Sequence, residues 1–533
     1  MSHILFTHSY FYRFDPKQWK NAQPYPPYGT LCAAALMREC GYEVSLFDTA
    51  LKHSATELLP VLEKVRPRYL VIYDDGFNYL TKMCLTRMRE AAYEMARLGK
   101  AAGCIVIANS SDSTDHYVEY LQQGVDFVIL GEGEGTLREL IATLDAGQGT
   151  LDVGQGTLDV GQGTLNVGRW TLDVGQGTLD NTEQINLMSI AGIAYRQRWN
   201  IPESPNHQIT KTNPRPVLTD LDALPDPAWD LVDMESYRKI WLQHHGYFSL
   251  NLATTRGCPY KCNWCAKPIY GNRYNSRSPE RVAAEIEMLI GRYDVRHFWM
   301  SDDIFGLKPA WVQGFRDIVQ EKNLVFQYKI QSRVDLLLKE DTIDALVASG
   351  LRQVWVGAES GSQKILDAMD KGTKVEEIES TTKLLKMKGI EVCFFLQFGF
   401  LGETKEDIEA TLRMVEALQP DDIGISVSYP LPGTGFHEKV RALLGEKQNW
   451  EVSDDLAMMY PATFLPAYYR RLHRLVHKRF RLQQGRTEWR KILSGKKANL
   501  RRAVRAFYFA PAAGLDAWRL RRLEKLNLHA ARI

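Results

Sequence analysis

Long apolar runs are missing from this chain: its 533 residues contain no stretch of 18 or more apolar side chains, the length a membrane-crossing helix needs. The opening MSHILFTHSYFYRFDPKQW has neither a basic leader nor a small-residue cleavage site, so the sequence predicts neither export nor a membrane span, and a cytoplasmic location. Cysteine is scarce, with eight residues, too few for a disulfide scaffold. No charge sign dominates overall, since 66 Lys and Arg stand against 64 Asp and Glu for a formal net charge of +2. With 45% hydrophobic and 24% charged residues, the composition excludes a disordered or fibrous chain.

What the chain does have is length enough for two or three hydrophobic cores and a marked local charge asymmetry. Residues 470–533 carry 19 Lys or Arg and three acids, so this tail is +16 while the preceding residues sum to −14. A tail of that kind suits phosphate, anionic lipid or an acidic partner face, or is simply a solvated helical appendage.

Along residues 1–140, short apolar runs alternate with helical patterns. Candidate strands are Ile4–Phe6, Val44–Phe47, Tyr69–Tyr73, Cys104–Ala108 and Phe127–Leu130, with helices near 30–40, 55–65, 80–99 and 115–122. This pattern predicts a doubly wound parallel sheet, which binds ligands at the carboxyl ends of its strands. Those ends are His8–Tyr12, Asp74–Tyr79, Asn109–Asp112 and the GEGEGT turn beginning at Gly131. Residues 144–178 form five seven-residue units of the LDVGQGT type, too rich in glycine for a coiled coil. They read as a low-complexity insertion without chemistry. The strand-like Ile190–Tyr195 closes a first domain (1–195), and proline-rich 196–247 reads as a linker. Residues 248–440 again alternate strand and helix in about six units, the pattern of a full or partial (β/α) barrel whose active face lies at the strand ends. Residues 441–533 are helical, aromatic and basic.

Five cysteines are scattered through apolar segments, where a buried small hydrophobe is the default role. The other three, Cys258, Cys262 and Cys265, lie in TTRGCPYKCNWCAKPIYG directly after a predicted strand. Three such thiolates suit a soft metal. A structural zinc site wants four ligands, and no second Cys-x-x-Cys or close Cys/His pair follows. A four-iron cubane held by three cysteines leaves one iron open to bind a ligand, and the glycine before Cys258 lets backbone amides approach the sulfurs.

The Cys-x3-Cys-x2-Cys spacing at this place resembles the radical S-adenosylmethionine (SAM) superfamily. Downstream, WVGAESGSQKILDAMDKG (355–372) matches that family's strand-loop-helix. The domain order, with PPYGTLCAAALMRECGYEV (26–44) and VDFVILGEGEGT (125–136) ahead of the cysteines, resembles the cobalamin-dependent class. That class includes methyltransferases of unactivated carbon or phosphorus and the anaerobic magnesium-protoporphyrin monomethyl ester cyclase. The implied fold class is α/β: a Rossmann-like cobalamin-binding domain, a radical SAM barrel and a helical C-terminal domain.

The resemblance implies three cofactors: a 4Fe-4S cluster on Cys258, Cys262 and Cys265, SAM, and cobalamin. Glu359 is the expected holder of the SAM amino or ribose groups, or else a helix-capping acid. Arg333, Gln397 and Ser301 sit at strand ends that approach SAM in the family, and Tyr260 and Trp264 flank the cluster cysteines. One of Ser301, Asp302 and Asp303 is expected to face SAM or substrate, but adjacent strand residues cannot both point inward. For cobalamin, the expected contacts are Asp74, Asn78, Asn109, Ser110, Ser111, Gly131, Glu132, Gly133 and Glu134. The Asp-x-His-x-x-Gly segment that supplies a cobalt-ligating histidine in many cobalamin proteins is absent. The implied activity is methyl transfer from SAM through methylcobalamin to a small molecule, with cyclisation or ring rearrangement as the alternative. The expected partners are a small-molecule substrate and an electron donor such as flavodoxin or ferredoxin, with no nucleic acid and at most peripheral membrane association through the basic tail.

Overall fold

The computed structural model describes residues 2–77, 81–83, 85–146, 158–159, 164–165, 187–196, 209–267, 269–447 and 449–530. Two compact units divide the chain: Met1–Pro259 with Lys267–Asp303 and Glu451–Ser453, and Tyr260–Ala266 with Ile304–Trp450 and Asp454–Ile533.

In the first unit, β1 (His3–Thr7), β2 (Glu43–Phe47), β3 (Tyr69–Tyr73), β4 (Ile105–Asn109) and β5 (Phe127–Ile129) pair in parallel. The residues 158–159 (β6) and 164–165 (β7), inside the heptad insertion, form a separate antiparallel pair. The rest of the insertion, beyond Ala146, lies outside the described residues. β8 (Ile193–Arg196) adds antiparallel to β5 and β9 (Ile209–Lys211) antiparallel to β8, giving the sheet order β2-β1-β3-β4-β5-β8-β9. The sheet thus runs past Ile190–Tyr195 into the proline-rich segment, and that segment also holds a helix, Met234–His245.

The central strands are apolar on both faces because helices cover both. Ile4, Phe6, Val71 and Ile107 enter one core and Leu5, Leu70, Ile72 and Val106 the other. Adjacent residues alternate between the faces, as a period of two requires. Later in the same unit come β10 (Ser249–Leu252), β11 (Thr255–Arg256), β12 (Asn275–Ser276) and β13 (His297–Met300). β10 pairs with β13 in parallel and β11 with β12 antiparallel.

The second unit contains β14 (Gln327–Ser332), β15 (Leu351–Glu359), β16 (Glu391–Phe398) and β17 (Asp422–Val427), parallel and paired in chain order. Helices Thr342–Ala348, Val375–Met387 and Lys405–Leu418 stand between them, so every strand end faces the same way. This is the curled parallel sheet of a partial barrel, and β10 and β13 follow the same strand-then-helix alternation along the chain. Two long helices, Pro466–Leu493 and Leu500–Ala530, end the described chain. No helix among the described residues is long and apolar enough to cross a membrane.

Candidate functional site

The second unit gathers most of the expected chemistry at the carboxyl ends of its strands. Arg333 follows β14 and caps the short helix Val334–Leu337. Its guanidinium donates to both oxygens of Asp335, at 2.9 and 3.3 Å, and lies 3.7 Å above the Tyr260 ring. The third nitrogen stands 3.9 Å from the Cys262 sulfur. A planar cation stacked and forked in this way has little freedom left to move, so Arg333 presents a fixed positive charge to the cysteine loop.

Glu359 closes β15 in a left-handed backbone conformation, φ +56, just after an irregularity in the β15–β16 register. Its carboxylate accepts from Lys371 Nζ at 2.9 Å, and both side chains are buried. Burial works to lower the Lys371 pKa, but the charges of Glu359 and Cys262 outweigh it and the net shift is upward. The pair fits only because residue 357 is glycine: a Cβ there would stand 2.5 Å from Lys371 Nζ and 2.7 Å from Glu359 Oε1. Lys371 Nζ also lies 5.8 Å from the Trp264 ring centre. The Cys262 thiol thus has the Arg333 guanidinium beside it, and its charge helps hold the proton on Lys371, which follows the helix Gln363–Ala368. Gln397, at the end of β16, donates instead to Ser428 at 2.9 Å.

Asn263, between two of the cysteines, pins the loop down. Its backbone N–H donates to the Met369 carbonyl at 3.0 Å, and its side-chain amide reaches the Ala368 carbonyl at 2.8 Å and Asp370 at 2.7 Å. The Asn263 carbonyl accepts from Phe436 N–H at 2.7 Å. Sequence reasoning singled out neither Asn263 nor Lys371. Only their position beside a cysteine and after the Glu359 helix hinted at them.

In the first unit, the residues leading to Cys258 are equally constrained. Asp302, fully buried, accepts from Thr254 N–H and Thr255 N–H at 2.7 and 2.6 Å and from both threonine hydroxyls. Burial pushes its carboxyl up to about 6 even so. Asp303 turns the other way to Lys82, at 2.5 Å, and Ser301 donates to the Leu252 carbonyl at 3.1 Å. Arg256 donates to Glu132 at 2.5 Å and Glu134 at 2.7 Å. Burial raises the Glu132 carboxyl pKa despite Arg256.

The remaining residues expected at cobalamin are engaged in the fold of the first unit. Asp74 accepts from Ser9 N–H and Oγ at 2.6 and 2.7 Å. Asn109 donates to the carbonyls of Ile129 and Gly131 at 3.1 and 2.9 Å. Ser110 caps the turn that begins at Ser111, accepting from Ser113 N–H. Gly133 lies so close to Tyr73 and Asn109 that a Cβ would meet both. Asn78 falls outside the described residues.

Cys258, Cys262 and Cys265 are half-buried thiols outside any disulfide. They fit an iron–sulfur group in kind, being three soft donors on one short stretch, although among the described residues no three potential ligands are gathered into a metal cage. The cationic groups beside Cys262 favour an anionic thiolate-ligated group in the same way.

Residues 252–415 match the Radical SAM superfamily. The chain therefore carries a radical SAM domain. Its fold is that of the cobalamin-dependent radical SAM enzymes. It aligns with the radical SAM methyltransferase TsrM of Kitasatospora setae, solved with tryptophan substrate and a SAM analog, at TM-score 0.62 and 18% identity over 83% of this chain and 76% of that one. With OxsB, solved with aqua-cobalamin bound, the TM-score is 0.68 at 14% identity, covering 98% of this chain and 72% of that one. Among curated relatives, an uncharacterized methyltransferase of Pyrococcus horikoshii is 26% identical over 315 residues, which is 59% of this chain and 58% of the relative. The anaerobic magnesium-protoporphyrin IX monomethyl ester cyclase of Rubrivivax gelatinosus is 23% identical over 453 residues, 83% of this chain and 70% of that one.

Proposed function

We propose that this protein is a cobalamin-dependent radical SAM methyltransferase acting on an unactivated carbon or phosphorus of a small molecule. The observation that carries the reading is the cationic setting of Cys262, built by Arg333 from one strand end and by Lys371 after another. Cys258, Cys262 and Cys265 would hold a 4Fe-4S cluster. When bound, the cluster and SAM supply a hydrogen-abstracting radical, and cobalamin supplies a methyl carrier.

The chain's own residues do the positioning. Arg333 and Lys371 offset the charge of the thiolates, Asn263 fixes the loop, and Glu359, oriented by Lys371, presents its carboxylate at the end of β15 for a SAM amino or ribose group. Gln397 supplies a polar group at the end of β16 and Ser301 one at the end of β13, and Tyr260 and Trp264 give the loop apolar cover that limits water. The cobalamin part of the reading rests on the doubly wound sheet of the first unit and not on Asp74, Asn109, Ser110, Glu132 or Glu134, whose side chains are already bonded within that unit. We place the enzyme in the cytoplasm with a flavodoxin- or ferredoxin-type electron donor and no nucleic-acid partner.

A second reading, cyclisation or ring rearrangement without net methyl transfer, is favoured by the reach of the cyclase similarity, 83% of this chain against 59% for the Pyrococcus methyltransferase. Anaerobic reconstitution with iron, sulfide and cobalamin, then reduction with SAM, separates them. Retained cobalamin with both 5′-deoxyadenosine and S-adenosylhomocysteine supports methylation. Deoxyadenosine without S-adenosylhomocysteine supports the second reading, and failure of the folded protein to take up cluster and cobalamin overturns both.

A further inference from the structure

The last helix, Leu500–Ala530, has two differently used faces. Its inner face is set by Asp516, which is 1% exposed and bound by Arg471 and Lys478 of the helix Pro466–Leu493, both at 2.7 Å. Ala503, Ala506, Ala513 and Leu520 are buried on that side, and Ala506 comes so close to Gly485 that a Cβ on the glycine would meet it. With that face fixed, the opposite one is turned outward.

That outer face is apolar. Leu500, Val504, Phe507, Tyr508, Leu515 and Trp518 are 69, 58, 68, 67, 48 and 56% exposed. Their spacing of four, three, one, seven and three residues keeps them on one stripe of a 3.6-residue helix, about 27 Å long at 1.5 Å per residue. An apolar, aromatic stripe of this length in water is unusual for a surface without a partner. Exposed Arg501, Arg505, Arg519 and Arg522 border it. Acids do not balance them: on residues 500–525 the acids are Asp516, buried inside, and Glu524, paired with Lys405 at 3.0 Å.

We propose that this face is a docking surface for an anionic lipid bilayer, on which the helix lies in the plane of the headgroups. An aromatic and aliphatic stripe bordered by arginines, on a helix that does not span, is the pattern that inserts shallowly at the headgroup–acyl boundary. The basic surplus selects anionic lipid by charge complementarity. An acidic protein would be met by the arginines but would leave Phe507, Tyr508 and Trp518 without an apolar counterpart.

The test uses the full chain without cofactors, so its outcome is independent of the proposed reaction. Sedimentation with sucrose-loaded vesicles of phosphatidylcholine, with and without phosphatidylglycerol, should show binding to the anionic vesicles that weakens with salt. The variant Phe507→Ser/Tyr508→Ser/Trp518→Ser should bind at least tenfold more weakly. Arg501→Gln/Arg505→Gln/Arg519→Gln should lose about 100-fold at low salt. The lipid and salt dependence of the unmodified chain gives a readout that needs no substitution. Three results overturn the proposal: no binding to anionic vesicles, binding unchanged by the apolar triple variant, or a lipid-free dimer that the apolar variant abolishes, which would make a second copy the occupant.

Discussion

Arg256 donates to Glu132 at 2.5 Å, and both side chains are 5% exposed. The arginine stands two residues before Cys258, while the glutamate belongs to the turn after β5, so the pair ties the doubly wound sheet of the first unit to the lead-in of the cysteine loop. Glu134 doubles the grip at 2.7 Å, and the rings of Tyr270 and Phe77 lie 5.5 and 5.6 Å from the guanidinium. Removing one member of a buried ion pair strands the others. Arg256→Met should therefore destabilise the first unit by about 3–5 kcal/mol, with Arg256→Lys in between, as measured by thermal unfolding. Reconstituted Arg256→Met should also retain less iron than the wild type. Equal melting temperatures would show that the grip contributes nothing.

The glycine after this arginine is just as constrained. Gly257 has φ +78, and a Cβ would run into the Arg273 carbonyl oxygen, a backbone atom that cannot swing aside. Gly257→Ala should thus disturb the loop even though no functional group is lost. The expected outcome is loss of iron loading with the fold of the first unit retained by circular dichroism. Normal loading would contradict it.

Lys371 offers a sharper test of the site. Lys371→Met leaves the Glu359 carboxylate buried without its 2.9 Å partner and removes a positive charge near Cys262. Formation of 5′-deoxyadenosine should fall by about 10–100-fold, the usual effect of losing an outer partner of a metal site. The reduction potential of the reconstituted cluster should drop, because the reduced, more negative state loses a stabilising charge. Lys371→Arg should restore the potential more than the activity. An unchanged potential would confine Lys371 to holding Glu359.

Much of the architecture was legible because hydrophobic periodicity and turn residues carry it. The helix expected near 30–40 is Tyr28–Glu39, and the strand expected at Tyr69–Tyr73 is β3. The cysteine loop and the strand-end places of Arg333 and Glu359 were legible too. Their partners were not, since Lys371 is 12 residues from Glu359 and Arg256 is 124 from Glu132, and no local pattern encodes such pairings. The GEGEGT turn shows the same limit: its two acids meet Arg256, far along the chain, and Gly133 is held to glycine by Tyr73 and Asn109. Helix Met234–His245 was hidden by the run of prolines that precedes it.

Asn263 makes a further prediction about the loop. Its side chain serves the Ala368 carbonyl and Asp370 together, so Asn263→Asp would set two carboxylates against each other at a distance now 2.7 Å. Like charges there should loosen the loop more than the simple loss of contacts in Asn263→Ala, which removes two hydrogen bonds of about 1 kcal/mol each. Limited proteolysis between Cys258 and Cys265 should rank the proteins wild type slowest, Asn263→Ala next and Asn263→Asp fastest. The opposite order of the two variants would mean that Asp370 is protonated or turned away.

Glu403 gives the protein a pH dependence of known sign. It is fully buried and accepts from Gly399 N–H at 2.6 Å, while its other oxygen has no partner among the described residues. Burial outweighs that hydrogen bond and pushes the carboxyl up to about 8 from 4.5. The folded protein then holds a proton that the unfolded chain releases at lower pH. The stabilisation this gives is complete below about pH 4.5 and is lost as pH rises through about 8. Glu403→Gln keeps a neutral polar group in place and has no proton to lose, so its melting temperature should fall less than that of the wild type between pH 5 and pH 9. The difference between the two should grow from pH 5 to about pH 8 and level off above it, and parallel melting curves would show that Glu403 is ionised in the folded chain across that range.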